Sequence, residues 1–147
     1  MSPAITLTSK PPVTKAFKAL RDSAGWGEIS LAQAELALAQ SLASVSAYKN
    51  GRLIAMARLI GDGVLNAYIQ DVVVAENHRG QGIGRAILTW LIVDMRRDLP
   101  LSCTIGLMAA KGQEGFYQSF RFIPRPDTDY GAGMFATLAD LTDGTLA

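Results

Sequence analysis

Hydrophobic and polar positions along this chain change period several times, and each change marks an expected element boundary. Residues 5–8 read as a short first strand. Pro11 and Pro12 then open a helical stretch with Val13, Phe17 and Leu20 on one face. The triplet Gly25-Trp26-Gly27 breaks it. Ser30 followed by Gln33 is a capping-box pattern, so a second helix is expected there, with Leu31, Ala34, Leu38 and Leu42 as its apolar face. Beyond this point the period shortens. Residues 45–48 and 53–60 flank the dipeptide Asn50-Gly51 and predict a hairpin. After a turn at Gly61-Asp62-Gly63, residues 64–74 predict a long strand rich in β-branched and aromatic residues. Helical spacing returns at Ile83, Ile87, Leu91 and Met95, with Leu88 and Ile92 beside them, and Asp98, Leu99 and Pro100 end that helix. Residues 101–109 read as a strand, 113–120 as a short helix, and Phe122-Ile123 and 134–138 as final strands. The order predicts a mixed α/β sheet with helices packed on it. Neither a repeat nor a linker interrupts the pattern, so one domain over residues 1–147 is expected.

Composition narrows the class. The 147 residues are 49% hydrophobic and 18% charged, a globular balance that can bury a core. The formal net charge is +1, so no global field draws the chain onto nucleic acid or an acidic membrane, and any anionic partner needs a local site. A single cysteine, Cys103, and a single histidine, His78, make neither a disulfide framework nor a Cys/His zinc cluster, and no metal is expected. Cys103 sits in an apolar stretch and reads as a core residue. There is no long apolar run behind a basic start, and no stretch approaches the ~20 apolar residues that span a bilayer. A cytoplasmic protein without membrane or nucleic-acid partners is the expectation.

The segment Arg79-Gly80-Gln81-Gly82-Ile83-Gly84 runs from the end of an apolar strand straight into a helix. A helix start leaves backbone N–H groups without partners and adds positive potential; glycines let a bulky anion approach them. Arg79 and Arg85 add charge on either side. In physical terms this is a cradle for a phosphate or pyrophosphate. An ATP-type P-loop needs Lys and then Ser or Thr after its last glycine, and neither is present. A dinucleotide fingerprint starting at Gly80 fails at Arg85 and lacks the parallel strand with a terminal acid. The remaining alternative is a tight strand-to-helix turn with glycines for packing.

The pattern Arg79-x-x-Gly82-x-Gly84 resembles the coenzyme A loop of the GNAT superfamily of N-acetyltransferases. The preceding Asp71-Val72-Val73-Val74 looks like that family's central strand, and 115–122 (GFYQSFRF) resembles its second signature, an aromatic-Tyr pair on a short helix. The resemblance covers the element order of the whole domain and the motifs between Ala67 and Phe122. Two positions depart from it: Arg121 stands where the family usually has glycine, and Ala110 where many members have an asparagine that touches the cofactor. The resemblance implies an acyl-CoA N-acyltransferase fold, a central and mostly antiparallel sheet flanked by helices. It also implies acetyl-CoA as cosubstrate, with a pyrophosphate held at Arg79, Gly80, Gln81, Gly82, Ile83, Gly84 and Arg85.

The implied reaction is direct attack of a primary amine on a thioester. An alkyl ammonium of pKa near ~10 must lose a proton, an oxyanion must be met by a backbone N–H, and a thiolate must be protonated. By the same resemblance the backbone of Val72, Val73 and Val74 binds the pantetheine arm and supplies the oxyanion donor, and Tyr117 is the general acid. The alternative for Tyr117 is a core aromatic beside Phe116 and Phe120. Asp71 is the one carboxylate inside the long strand; it either accepts a proton through water or orients the loop that follows. Glu114 is a weaker candidate, and His78 reads as a surface residue. Trp26, in a turn that borders the acceptor site in this family, together with Glu28 and Tyr130, is assigned to the acceptor. A small primary amine with an apolar or aromatic body fits these residues and the carboxylates Glu28, Asp127 and Asp129. The alternatives are a protein N-terminal or lysine acetyltransferase, and an acyl-CoA-binding regulatory module without turnover. A homodimer is left open.

Overall fold

The computed structural model describes residues 4–145. They fall into two compact units, one ending at Leu107 and the other beginning at Met108.

The first unit is built on a five-stranded sheet in the order β1-β2-β3-β4-β5. Its strands are β1 (Thr6–Thr8), β2 (Ala43–Lys49), β3 (Arg52–Gly61), β4 (Asn66–Val74) and β5 (Thr104–Gly106). Neighbours are antiparallel except β4 and β5, which are parallel. The hairpin expected at Asn50-Gly51 joins β2 to β3, with φ of 52° and 73°, the left-handed pair that a tight right-twisting hairpin requires. The Gly61-Asp62-Gly63 turn holds because one Asp62 oxygen, Oδ1, accepts the N–H groups of Val64, Leu65 and Asn66. These bonds, that from Asn66 foremost, keep the Asp62 carboxyl below the usual carboxylate range.

Helix α1 (Thr14–Asp22) buries Phe17 and Leu20, and α2 (Leu31–Ala39) buries Ala34. These three residues form one core cluster with Met56 of β3 and Val73 of β4. Helix α3 (Ile83–Asp98) buries Ile83, Ile87, Leu88, Leu91 and Met95. Successive residues 54 to 57 of β3 are all buried, as a strand covered on both faces must be. Val13 is not part of the apolar face expected for α1. It is the N-cap residue and 73% exposed, because the helix begins only after it. On α2, Leu31 and Leu42 are likewise left exposed, Leu42 because the helix has already ended at Ala39. The capping box is formed: Gln33 N donates to Ser30 Oγ at 3.0 Å and Ser30 N donates to Gln33 Oε1 at 2.9 Å. Ser30→Ala is therefore expected to lower stability by about 1 kcal/mol in urea titration, without changing activity.

The second unit holds one short helix, α4 (Glu114–Gln118), and a single-turn 3-10 segment at Leu138–Asp140. The strands expected at Phe122-Ile123 and at 134–138 are not formed. Met134 and Phe135 are 88% and 87% exposed, and no described strand pairs with them. Strand propensity without a partner ladder does not make a strand. The strand expected over 101–109 shrinks to Thr104–Gly106, and Cys103 before it is half-buried, not a core residue.

Candidate active site

The site begins with an irregularity in β4. Met56 pairs with Val73, but Arg58 pairs with Gln70, so Asp71 and Val72 together oppose Ala57. This is a β-bulge with one extra residue on β4, and Asp71 takes the left-handed conformation it needs, φ 54°. Bulges bend the bulged strand. On the other edge of β4, pairing with β5 stops at Tyr68–Gly106. The N–H of Ala75 donates to Ile54 O of β3 at 2.7 Å. Strand alternation then turns Val73 toward β3 and turns the backbone of Val74 to the opposite edge. Val74 O faces that way, since it accepts Arg79 Nε at 3.0 Å. Beyond Tyr68, therefore, β4 presents peptide groups on an edge that no described strand covers.

The glycine loop follows directly. After a single 3-10 turn at Glu76–His78, Gly80 and Gly82 take φ of 76° and 80°. A Cβ added at either glycine would meet nothing within 4 Å. The two glycines are thus not there for packing; they supply positive φ and leave space open. Gly82 is the N-cap of α3 and has no side chain to cap it. The first bond of the helix runs from Ala86 N to Gly82 O at 3.1 Å, so the N–H groups of Ile83 and Gly84 lie in the first turn without an intrahelical acceptor. Serine or aspartate at the N-cap would occupy such donors; glycine leaves them for a ligand. Backbone donors, open space and the Arg79 side chain tied to the strand end together fit a pyrophosphate.

Asp71 is enclosed. Its side chain is fully buried, with Oδ1 accepting Arg21 Nε at 3.2 Å and Oδ2 accepting Arg58 Nε at 2.5 Å. Gln70 Nε2 lies 3.4 Å from Oδ1. From sequence, Asp71 either accepts a proton through water or orients the loop that follows; here both of its oxygens are engaged by arginines. Arg58 lies over the Phe17 ring at 5.9 Å, and Arg21 over the Trp26 ring at 5.8 Å. Trp26 is 47% exposed in its turn. That turn is tied down by Asp22, which accepts Ile29 N at 3.2 Å and pairs with Lys18. Glu28 lies exposed in the same turn; the hydrogen bond that Lys18 donates to Asp22 does most to raise the Lys18 pKa, and the charge of Glu28 adds to it.

The remaining expected site residues belong to the second unit. Tyr117 lies on α4 with its ring edge-on to Phe116 at 5.0 Å and to Phe122 at 6.1 Å. Burial pushes its phenol pKa up, so the hydroxyl keeps its proton past the usual range. Arg121, where the family resemblance leads one to expect glycine, takes φ 75°. Arg121 N donates to Gln118 O at 2.9 Å and Phe122 N to Tyr117 O at 3.3 Å, the bonds of a Schellman-type helix end. Arginine therefore ends this helix in the way glycine would. Tyr130 is 61% exposed with Arg125 over its ring at 5.0 Å, and its N–H donates to Asp127 Oδ1 at 2.7 Å. Glu114 is exposed in the first turn of α4.

The structure thus joins Asp71, Val72, Val73, Val74 and the loop from Arg79 to Arg85 in one continuous path, with Trp26 linked to it through Arg21. Arg21 and Arg58 were missed from sequence. The available signal was one charge inside each of two consecutive apolar strands, Arg58 and Asp71, of opposite sign. Among the described residues, no helix is long and apolar enough to cross a membrane.

The bulge in β4, its edge left uncovered beyond Tyr68 and the glycine-capped start of α3 thus follow one another along the chain. The sequence pattern of the acetyltransferase (GNAT) family matches residues 13–122, and the chain belongs to that family. It is 37% identical over 106 residues to the chloroplastic serotonin N-acetyltransferase 2 of Oryza sativa subsp. japonica, covering 72% of this chain and 50% of the relative. It is 36% identical over 105 residues to the chloroplastic GCN5-related N-acetyltransferase 1 of Arabidopsis thaliana, covering 70% and 52%. The chain spans about half the length of these curated relatives. Among solved structures, a Staphylococcus aureus protein of unknown function described as a probable acetyltransferase superposes with a TM-score of 0.81 at 30% identity, covering 90% of this chain and 98% of that one.

Proposed function

We propose that this protein transfers the acetyl group of acetyl-CoA to a small primary amine by direct attack within a ternary complex. The observation that carries the reading is the path from the β4 bulge to the first turn of α3. Backbone turned outward at Val74 leads into a loop where Gly80 and Gly82 leave open space before the first turn of α3. In this reading Val72, Val73 and Val74 bind the pantetheine arm, and a backbone N–H of that segment meets the oxyanion. Arg79, Gly80, Gln81, Gly82, Ile83, Gly84 and Arg85 hold the pyrophosphate. Acetyl-CoA supplies the thioester carbon that the amine attacks. Tyr117 returns a proton to the departing thiolate; its burial-raised pKa keeps that proton available. The role of Tyr117 and the action of residues 1–147 as one catalytic domain are parts of this proposal. So is the cytoplasmic location; the rice and Arabidopsis relatives are named as chloroplastic.

The acceptor is proposed to carry an apolar or aromatic body. Trp26 offers a half-exposed ring in a turn fixed by Asp22, with Glu28 beside it to draw an ammonium group. Tyr130 is proposed to serve the same acceptor. The serotonin in the rice relative's name is an amine of this kind. Turnover of an aralkylamine, a polyamine and a peptide N-terminus, compared in wild type and Trp26→Ala, tests the reading. The aralkylamine is expected to be the best substrate, and Trp26→Ala to lower its kcat/KM by about tenfold. Acetylation of the peptide alone would assign a protein acceptor instead. Binding of acetyl-CoA with no turnover of any amine would make the chain a regulatory module.

A further inference from the structure

We propose that Arg21 and Arg58 are positioning residues that hold the β4 bulge in its working register through Asp71, and that Arg21 also couples this register to the acceptor-side ring of Trp26. The inference rests on the function proposed above and adds residues and a coupling that neither the family motifs nor the comparisons assign.

A bulge is a local choice between registers. One residue on β4 must be extruded from the ladder, and a slip of one position would turn Val74 back toward β3. Nothing in the backbone alone pins the extra residue at Asp71. Its left-handed φ of 54° is mildly unfavourable for any side chain, and least so for Asn and Asp after glycine. The side chain supplies what the backbone lacks. One carboxylate oxygen is held from α1 by Arg21 and the other from the neighbouring strand by Arg58, and the carboxylate has no exposed surface. A buried carboxylate held from two elements can shift register only by abandoning both partners, which leaves charges unpaired in the core. Arg58 is itself braced, with Nη1 donating to Ser41 Oγ at 3.4 Å and its guanidinium over Phe17.

This arrangement also argues against Asp71 as the group that deprotonates the amine. Both oxygens already accept from guanidinium groups, and the side chain has no exposed surface through which to reach an amine. Arg21 has a second contact that Arg58 lacks: its guanidinium lies over Trp26. The two arginines should therefore differ in their kinetic signatures. Loss of Arg58 disturbs the bulge alone, whereas loss of Arg21 disturbs the bulge and the acceptor ring.

The test uses Arg58→Gln, Arg58→Lys and Arg21→Gln in the full chain, with circular dichroism and thermal unfolding to establish that each is folded. Each single change leaves Asp71 one arginine and the Gln70 amide, which favours folding. Amide chemical shifts and hydrogen exchange at Val72, Val73 and Val74 report the bulge directly and do not depend on turnover. The expected result is altered shifts and faster exchange there in both Gln variants. With it should come a kcat about ten- to a hundredfold lower, the range that small misplacements of positioning groups produce. The KM for acetyl-CoA should stay near wild type in both. The KM for the amine should rise only in Arg21→Gln, by about threefold, the size of one exposed cation–π contact. Arg58→Lys should recover part of the loss by keeping a cation against Asp71. Unchanged shifts at Val72–Val74 in the folded Gln variants would overturn the proposal, whether or not kcat falls. If wild-type protein acetylates no amine, the proposed function fails, while the amide shifts still decide whether the clamp holds the bulge. Should Arg58→Gln not fold, Arg21→Gln decides the register claim by the same shifts.

Discussion

Gly82→Asp is expected to leave the chain folded and to abolish measurable acetyl-CoA binding. The position has φ 80°, where aspartate is among the less strained residues after glycine, and an added Cβ meets nothing within 4 Å. Folding should thus cost on the order of 1 kcal/mol. The carboxylate would, however, stand at the N-cap of α3, the place where aspartate normally takes up free helix N–H groups. It would compete for the donors assigned to the pyrophosphate and place like charge beside it. Loss of those charge-assisted bonds should weaken acetyl-CoA by at least about a hundredfold in calorimetry. Gly82→Ala separates the two causes: it adds strain without charge, and affinity should fall less. Unchanged affinity in folded Gly82→Asp would mean that the pyrophosphate lies elsewhere.

Tyr117→Phe is expected to lower kcat by about a hundredfold or more and to leave acetyl-CoA affinity nearly unchanged. The ring keeps its edge-on contacts with Phe116 and Phe122, so only the hydroxyl is removed. The pH dependence carries a sign that can be checked. A general acid works while protonated, and burial raises the Tyr117 pKa above its ordinary value of 10.0. In wild type the alkaline loss of kcat due to this group should therefore begin only above about pH 10. A wild-type rate in Tyr117→Phe would show that water or another group protonates the thiolate.

The parts of the fold that were legible in sequence are those set by residues close together in the chain. Asn50-Gly51 specifies its turn by backbone conformation alone, and Ser30 with Gln33 satisfies its own helix start. The glycine loop belongs to the same class, since positive φ at Gly80 and Gly82 and a bare helix terminus are local properties. The bulge was not legible. Ala67, Ile69, Asp71 and Val73 are buried in unbroken alternation, so β4 reads as a regular strand even though one residue is extruded from the ladder. Its existence depends on the register of β3, which no local pattern encodes. The clamp is harder still, because it joins positions 50 and 13 residues apart in the chain. The same reasoning accounts for the unformed final strands. Met134 and Phe135 have strand-like character, but a strand needs a partner ladder, and none of the described strands provides it.

The most direct measurement of the central claim is the stoichiometry of products when the protein is mixed with acetyl-CoA and an aralkylamine. Free thiol can be followed spectroscopically and the amine product by mass spectrometry. Direct attack in a ternary complex predicts one thiol released per N-acetylated amine, no thiol release without amine, and no acetylated protein when amine is withheld. Thiol released without amine, acetyl groups trapped on the chain, or acetyl-CoA bound and left intact in the presence of every amine offered would contradict it.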